Sequence, residues 1–291
     1  MQQQPQAQDS TREFVFTSGD FQRISKLIYE HAGISLAPTK QEMVYSRLAR
    51  RLRVRGLSTF SEYLAVLEKG DDAEWEAFVN ALTTNLTSFF REPHHFAELT
   101  RFLERRRRSQ QRVSIWCCAS STGEEPYSLA MTAVEVYNSF TPPLTIIATD
   151  LDTSALEKAA AGVYAEERIA KLRQDQLQRF FLKGTGARAG SVRVRPELRE
   201  LVTFRQVNLL DTQWPVRGPF DAIFCRNVMI YFDKLTQRKV LAKLAPLLAG
   251  DGLLFAGHSE SFLHSADLFR LRGNTVYELA QPLQKAAAGA R

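Results

Sequence analysis

Val113-Ser114-Ile115-Trp116-Cys117-Cys118-Ala119-Ser120-Ser121-Thr122-Gly123-Glu124-Glu125-Pro126-Tyr127 is the stretch that decides the fold. Residues 113–119 have the composition of a strand. The polar turn behind them opens a helix at Pro126, a residue suited to a first helical position. A strand that turns straight into a helix is the opening unit of a nucleotide-type α/β fold. Such folds keep that helix start glycine-rich and uncharged, because its free N–H groups attract phosphate. Here it carries Glu124 and Glu125. Two carboxylates repel phosphate and suit a ligand with positive charge and hydroxyls, such as S-adenosylmethionine, which has a ribose diol, an ammonium and a sulfonium. The same acids would also satisfy the helix dipole with no ligand present, so other segments must decide.

Outward from this unit, strands and helices alternate. Residues 144–149, 201–207, 220–225 and 253–256 read as strands, 127–137, 154–161 and 236–248 as helices, and 275–279 as a last strand. That alternation predicts an open parallel sheet covered on both faces. Residues 163–200 are too many for an ordinary crossover. Within them Gly184, Gly186 and Gly190 precede Ser191-Val192-Arg193-Val194-Arg195, which alternates like an exposed strand and predicts a small antiparallel insertion.

Before the α/β part the periodicity is helical. Phe21, Ile24, Leu27 and Ile28 form one stripe, which Gly33 is placed to end. A second helix is expected from Thr39, with Glu42 returning the capping bond. Along it Val44, Leu48 and Leu52 share a face, and Arg47, Arg50 and Arg53 fall opposite. Phe60, Leu64 and Leu67, then Trp75, Phe78, Val79 and Leu82, mark two more helices. The expected organisation is a polar tail over 1–12, an all-helical domain over 13–88, an α/β domain over 89–281 that includes the 163–200 insertion, and a flexible tail over 282–291.

Composition limits the alternatives. A hydrophobic content of 44% over 291 residues supports one large domain beside a smaller one. No apolar run reaches the roughly 18 residues of a membrane span, and the glutamine-rich start lacks the features of a signal peptide, so a cytoplasmic location is expected. Cys117, Cys118 and Cys225 cannot make a disulfide framework and read as reduced core residues. A net charge of +6 favours an acidic partner without choosing one. The densest basic run, Arg105 to Arg108, is expected to close a helix and suits its dipole. His94, His95, His258 and His264 do not read as a metal set, because adjacent histidines on a helix point to different faces, and no metal is expected.

Open parallel sheets bind ligands beyond the carboxyl ends of their strands. Those ends carry Glu125, Asp150, Asn208, Arg226, Asn227 and, a little further on, Tyr231. A carboxylate ending the second strand is the usual holder of ribose hydroxyls, and Asp150 has that place. Asp152, Thr153 and Ser154 are nearer to cap the next helix. Ahead of the sheet, Asn85-Leu86-Thr87-Ser88-Phe89-Phe90-Arg91-Glu92 surrounds an aromatic pair with polar groups at the junction of the two halves. A junction is a favoured place for a site, although Phe89 and Phe90 would also serve simply to join the domains.

Taken in order, the segment Asn85 to Glu92, Ser121-Thr-Gly-Glu-Glu-Pro-Tyr-Ser, Ala148-Thr-Asp-Leu-Asp, Val207-Asn-Leu-Leu and Phe220-Asp-Ala-Ile-Phe-Cys-Arg-Asn-Val-Met-Ile-Tyr-Phe-Asp resemble the chemotaxis receptor methyltransferase family, CheR. The closing Gly252-Leu-Leu-Phe-Ala-Gly-His-Ser-Glu-Ser is similar to that family as well. The resemblance implies a Rossmann-like S-adenosylmethionine-dependent methyltransferase domain with an N-terminal helical domain and a small antiparallel β insertion. It implies a protein-glutamate O-methyltransferase acting on the cytoplasmic helical bundle of chemoreceptors. By position, Asn85, Thr87, Arg91, Glu125, Asp150, Asn208, Leu209, Arg226 and Asn227 would contact the cofactor, and Arg91 and Tyr231 would lie beside the transferred methyl. The stripe Arg47, Arg50 and Arg53 would face acidic receptor helices, and the insertion would add its strand edge to a receptor C-terminal peptide.

Two other readings stay open at this point. A nucleic-acid methyltransferase would share the sheet, but Arg226-Asn227-Val228-Met229 stands where adenine-amino enzymes carry an Asp/Asn-Pro-Pro-aromatic run, and Cys225 lacks a neighbouring proline. A catalytically silent scaffold that keeps the cofactor pocket, or a methyltransferase for another acidic protein, would need no change in the motifs.

Overall fold

A computed structural model describes residues 12–280, which divide into a unit ending at Thr83 and a unit beginning at Thr84. The division thus falls five residues before the one expected at residue 88. The reason lies in residues 84–92, which bond into the α/β unit: Ser121 Oγ donates to Asn85 Oδ1 at 3.0 Å, and the Phe90 N–H donates to Ser128 Oγ at 3.0 Å. Apart from Arg12, the tails expected at 1–12 and 282–291 lie outside the described residues.

The first unit contains α1 (Ser18–Ala32), α2 (Gln41–Arg55), α3 (Phe60–Glu68) and α4 (Asp72–Leu82). Their apolar stripes are buried: Phe21, Ile24 and Ile28 from α1, Val44, Leu48 and Leu52 from α2, Phe60 and Leu64 from α3, Phe78 and Leu82 from α4. Each such side chain contributes about 1.5–3 kcal/mol relative to exposure. Gly33 ends α1 in the left-handed region at φ 68°. The capping box expected at Thr39 and Glu42 does not form. Pro38–Lys40 makes a 3-10 turn, α2 starts at Gln41, and Glu42 pairs with Arg12 instead. The boxes that do form are Thr17 with Asp20 and Thr59 with Glu62.

The arginines opposite the apolar stripe of α2 differ in their partners. Arg47 Nη1 donates to the carbonyls of Ala81, Leu82 and Thr83 at 3.2, 3.2 and 2.7 Å, satisfying acceptors that the end of α4 leaves open. Arg53 forms an ion pair with Glu13 at 2.6 Å. Arg50 is exposed and has no bonded partner among the described residues.

The second unit begins with α5 (Pro93–Arg108) and is built on a seven-stranded sheet. In chain order its elements are β1 (Val113–Cys117), α6 (Glu124–Tyr137), β2 (Leu144–Asp150), α7 (Thr153–Ala161), β3 (Val163–Ala165), α8 (Glu166–Ile169), α9 (Gln174–Phe180), β4 (Phe181–Lys183), β5 (Ser191–Val194), α10 (Pro196–Arg199), β6 (Val202–Gln206), β7 (Phe220–Cys225), α11 (Lys234–Leu244), β8 (Leu248–Ala256), β9 (Phe269–Gly273) and β10 (Val276–Leu279). The sheet order is β6-β2-β1-β7-β8-β10-β9. Pairings from β6 to β8 are parallel, and β10 joins β8 and β9 antiparallel. The sheet is therefore mixed rather than wholly parallel, and β9 is a strand that the sequence reading did not foresee.

Burial explains the run of apolar residues along the central strands. Side chains alternate across a strand, so both faces of β1 need covering. Val113, Ile115 and Cys117 enter one core with α5 and α6, while Trp116 and Cys118 enter the other with α11. Phe224 stacks on Phe255 across β7 and β8 with centroids 4.1 Å apart. All three cysteines are buried and free, as expected.

The insertion forms its own sheet in the order β3-β5-β4. Residues Ser191–Val194 are thus its central strand, not an exposed edge. The edges are β3 and β4, where Val163 and Leu182 remain exposed.

Candidate functional site

The strand ends of the second unit carry two hydrogen-bonded networks. The first grows from the turn between β1 and α6. Gly123 sits there at φ 97°, and a Cβ on it would come within 2.8 Å of Ala159 Cβ and of the Tyr164 hydroxyl. This glycine admits close packing of α7 and the insertion rather than a phosphate. Asp150, at the end of β2, accepts the Ser121 N–H at 2.7 Å and the Asp152 N–H at 2.9 Å. Asp152 caps α7 by accepting from Ala155 N, which leaves Asp150 free of that duty. Asn85 joins the group, donating to Asp152 Oδ2 at 2.7 Å and accepting from Ser121 Oγ at 3.0 Å. Among the described residues no cation pairs with Asp150. Burial pushes its carboxyl up to about 6, against the opposing pull of the Asp152 and Ser121 amides. A half-buried carboxylate with lone pairs to spare and no cation is a donor set that fits a ribose diol.

The second network centres on Arg226, which is 3% exposed. Its guanidinium bonds Glu125 Oε2, donates to the Arg91 carbonyl at 2.5 Å, and lies 3.3 Å from Glu92 Oε2. Cys117 Sγ donates to the other Glu125 oxygen at 3.3 Å. Glu124, fully buried, is held by Arg168, whose Nε is 3.1 Å away, and by the Thr122 hydroxyl at 2.6 Å. Arg168 also donates to the Thr87 carbonyl at 2.9 Å. The two acids that first suggested a cationic ligand therefore have arginines of their own. Of the carboxylates at this rim, Asp150 is the one left for a ligand.

Glu92 is a hub that the sequence reading passed over. It accepts from Asn227 Nδ2 at 3.3 Å and from the His258 N–H at 3.1 Å, and its Oε1 lies 3.0 Å from His258 Nδ1. Burial alone would raise this carboxyl, but the His258 bonds and the Arg226 charge bring it down to about 2. A second carboxylate, Glu260, accepts the Asn227, Ile230 and Gly257 N–H groups at 2.9, 3.3 and 2.5 Å. Burial raises its carboxyl, with the Gly257 and Asn227 amides opposing. These two acids fix the loop after β7, where Asn227 takes a positive φ of 57° and Gly257 leaves no room for a Cβ.

The other expected site residues are spread more widely. Arg91 is half-buried, and its Nη1 donates to the Leu86 carbonyl at 2.7 Å while its Nε is 4.0 Å from Glu92. Asn208 shapes its own loop, Oδ1 accepting from Leu210 N at 2.9 Å, and Leu209 is buried. Tyr231 ends a 3-10 turn, Met229–Tyr231, and is half-buried. Phe89 packs on Tyr164 and Phe181, and Phe90 on Phe96, all within this unit. Arg168, Glu92 and Glu260 were missed. The available signal was that Glu92 and Glu260 both fall inside motifs already singled out.

The histidines also differ from expectation. His94 and His95 ring centroids are 4.2 Å apart, and an atom from each lies with a Glu92 oxygen inside a 4.8 Å span. Consecutive Cα atoms are only about 3.8 Å apart, so two imidazoles leaning toward each other reach one point despite their helical offset.

A sheet of this order, with polar groups gathered at its carboxyl rim and a carboxylate ending the second strand, defines the class of S-adenosylmethionine-dependent methyltransferases. Residues 85–278 match the CheR methyltransferase, SAM binding domain, and residues 19–83 match the CheR methyltransferase, all-alpha domain. The chain belongs to the CheR methyltransferase family. It is 51% identical to chemotaxis protein methyltransferase 2 of Pseudomonas aeruginosa over 92% of this chain and 96% of that one. It is 53% identical to the chemotaxis protein methyltransferase of Escherichia coli over 93% of this chain and 94% of the relative. The Salmonella typhimurium protein of the same name is also 53% identical, covering 93% of each. These likenesses support S-adenosylmethionine-dependent methylation in chemotaxis.

Proposed function

We propose that this protein methylates glutamate side chains on the cytoplasmic helical bundle of chemoreceptors, forming γ-glutamyl methyl esters in chemotactic adaptation in the cytoplasm. The observation that carries the reading is the pair of networks at the rim of β1, β2 and β7, found in a chain of this family. Asp150 and Asn85 would hold the ribose end of the cofactor. Thr87, Glu125, Asn208, Leu209, Arg226 and Asn227 would line the rest of its site, Glu125 and Arg226 as a mutually neutralised pair. When bound, S-adenosylmethionine supplies an electrophilic methyl carbon on its sulfonium.

The chemistry asks little of the protein beyond placement. A glutamate carboxyl has an ordinary pKa of about 4.3, so the acceptor is already an anion at neutral pH and no general base is required. Nor does the transfer call for a metal. Arg91 would orient the acceptor carboxylate by a charge-assisted hydrogen bond, and Tyr231 would donate a hydrogen bond beside the reacting groups. Because opposite charges cancel during transfer, a site that excludes water favours the transition state.

On the receptor side, Arg50 is the stripe residue best suited to meet acidic helices, with Arg47 and Arg53 contributing charge from their bonded positions. The edge strands β3 and β4 of the insertion would take up an extended receptor C-terminal peptide. Incubating the protein with labelled donor and receptor, followed by release of volatile methanol in alkali, tests the central reading. Counts that appear in alkali-stable methyl groups, or in nucleic acid offered alongside, would reject it. Equal retention of receptors with and without the tail in a pull-down argues against the tether.

A further inference from the structure

Beside the Glu92 hub stands a set of ligating atoms that methyl transfer does not use. Glu92, His94 and His95 each offer one, and the three atoms lie within 4.8 Å of one another. His95 is 0% exposed. Its Nε2 lies 3.0 Å from the Asn274 carbonyl oxygen and 3.0 Å from Thr275 Oγ1, while the Thr275 hydroxyl itself donates to that carbonyl at 2.7 Å. A carbonyl only accepts, so Nε2 carries the ring proton. In the neutral ring Nδ1 then presents a lone pair.

That Nδ1 is buried without a hydrogen-bond partner, and it faces Glu92 Oε2 at 3.5 Å. Two acceptors pointing at each other in a dry place repel, and a cation between them removes the repulsion. An imidazole whose far nitrogen donates to a backbone carbonyl is oriented as metal-ligating histidines usually are.

We propose that Glu92, His94 and His95 form a binding site for one divalent transition-metal ion of the zinc class. Imidazole nitrogen with carboxylate oxygen suits that class, and three protein ligands leave a fourth position for water. Bonds of about 2.0–2.2 Å require ligand atoms roughly 3.5 Å apart, so the set must close by about an ångström. The exposed His94 ring is free to make that movement. His258 Nδ1 lies 3.0 Å from the opposite Glu92 oxygen, and the His258 N–H donates at 3.1 Å to the oxygen that faces His95, so the carboxylate is fixed in that orientation. Arg226, 3.3 Å from Glu92, opposes the ion and limits its affinity.

The test uses the full chain, freed of metal with a chelator, and zinc chloride as the probe in isothermal titration. One ion per chain is expected, and His94→Ala should weaken its binding about tenfold or more. Because His94 is exposed and outside the methyl-transfer groups, metal-free ester formation and thermal unfolding of that variant should match the parent. Cobalt chloride should give the visible absorption of a nitrogen and oxygen site. Absence of saturable binding, an unchanged affinity in His94→Ala, or a thiolate-to-cobalt band from Cys117, Cys118 or Cys225 would each overturn the assignment.

Discussion

Glu125, in the first turn of α6 after β1, and Asp150, the last residue of the neighbouring parallel strand β2, carry the same formal charge and come from motifs of equal prominence. Glu125 is matched inside the protein by Arg226, whereas Asp150 accepts from backbone amides and has no cation beside it among the described residues. A carboxylate matched by a buried guanidinium holds structure together. One met by amides alone pays for its burial in a raised pKa and keeps its charge available for a ligand. What distinguishes the two is the guanidinium, which reaches Glu125 from 101 positions away in the chain.

The sharpest way to break this contrast is to remove the guanidinium. Arg226→Ala strands Glu125 and Glu92 without their shared cation, and loss of one partner of a buried pair costs about 3–5 kcal/mol. Urea denaturation should show that loss in Arg226→Ala and almost none in Asp150→Asn. Equal midpoints for the two variants would mean that the two acids do not differ in the way described.

Next in size is the proposed role of Arg91. Its side-chain bond to the Leu86 carbonyl is a surface contact, so Arg91→Ala should keep the fold. If Arg91 orients the acceptor, ester formation on receptor should fall about 100-fold or more, the usual cost of losing a preorganised donor at a reacting group. A methanol-release assay giving near-parental turnover would remove Arg91 from the reaction.

A smaller effect, and one specific to Asp150, is pH dependence. Its carboxyl stands at about 6 in the folded protein against an ordinary 3.8, so the native state holds the proton more firmly than the unfolded chain does. This group therefore favours the fold fully below its ordinary value, and that contribution is lost as pH rises through about 6. Diol binding needs the ionised form. Cofactor affinity should weaken as pH falls through about 6, approaching a tenfold loss per unit below it. Calorimetry on Asp150→Asn should give weaker binding at pH 8 and a flatter profile. A profile parallel to the parent would assign the titration to another group.

Much of this was legible in the chain because the signals are local. Strand runs, helical stripes and the polar residues at strand ends follow from periodicity and from where open sheets bind ligands. The strand β9 was not legible, since Phe269-Arg270-Leu271-Arg272-Gly273 is a charged edge with one buried residue and no apolar run. Charge pairing was not legible either. Arg226 meets Glu125 across 101 positions, and His258 meets Glu92 across 166, so composition at either end says nothing of the partner. The central place of Ser191–Val194 in its small sheet has the same cause: alternation shows that a strand exists, but its neighbours are set by the return path of the chain.

The same distinction between matched and unmatched charge applies on α2, where the expected effects are smallest. Arg47 closes the end of α4, so Arg47→Glu should destabilise the helical unit whatever happens at a receptor. Arg53 is held by Glu13, and its reversal creates a like-charge pair. Arg50 alone of the three is exposed with no bonded partner among the described residues, so Arg50→Glu changes the surface field and little else. An exposed ion pair contributes about 0.2–1 kcal/mol, which corresponds to roughly a 1.4- to fivefold rise in apparent KM for receptor. The rise should shrink at high salt, because exposed charges are screened within about 10 Å at 0.1 M ionic strength. Cofactor binding should not move. An unchanged receptor dependence in Arg50→Glu, measured beside a destabilised Arg47→Glu, would leave the α2 arginines a structural role and take docking away from that face.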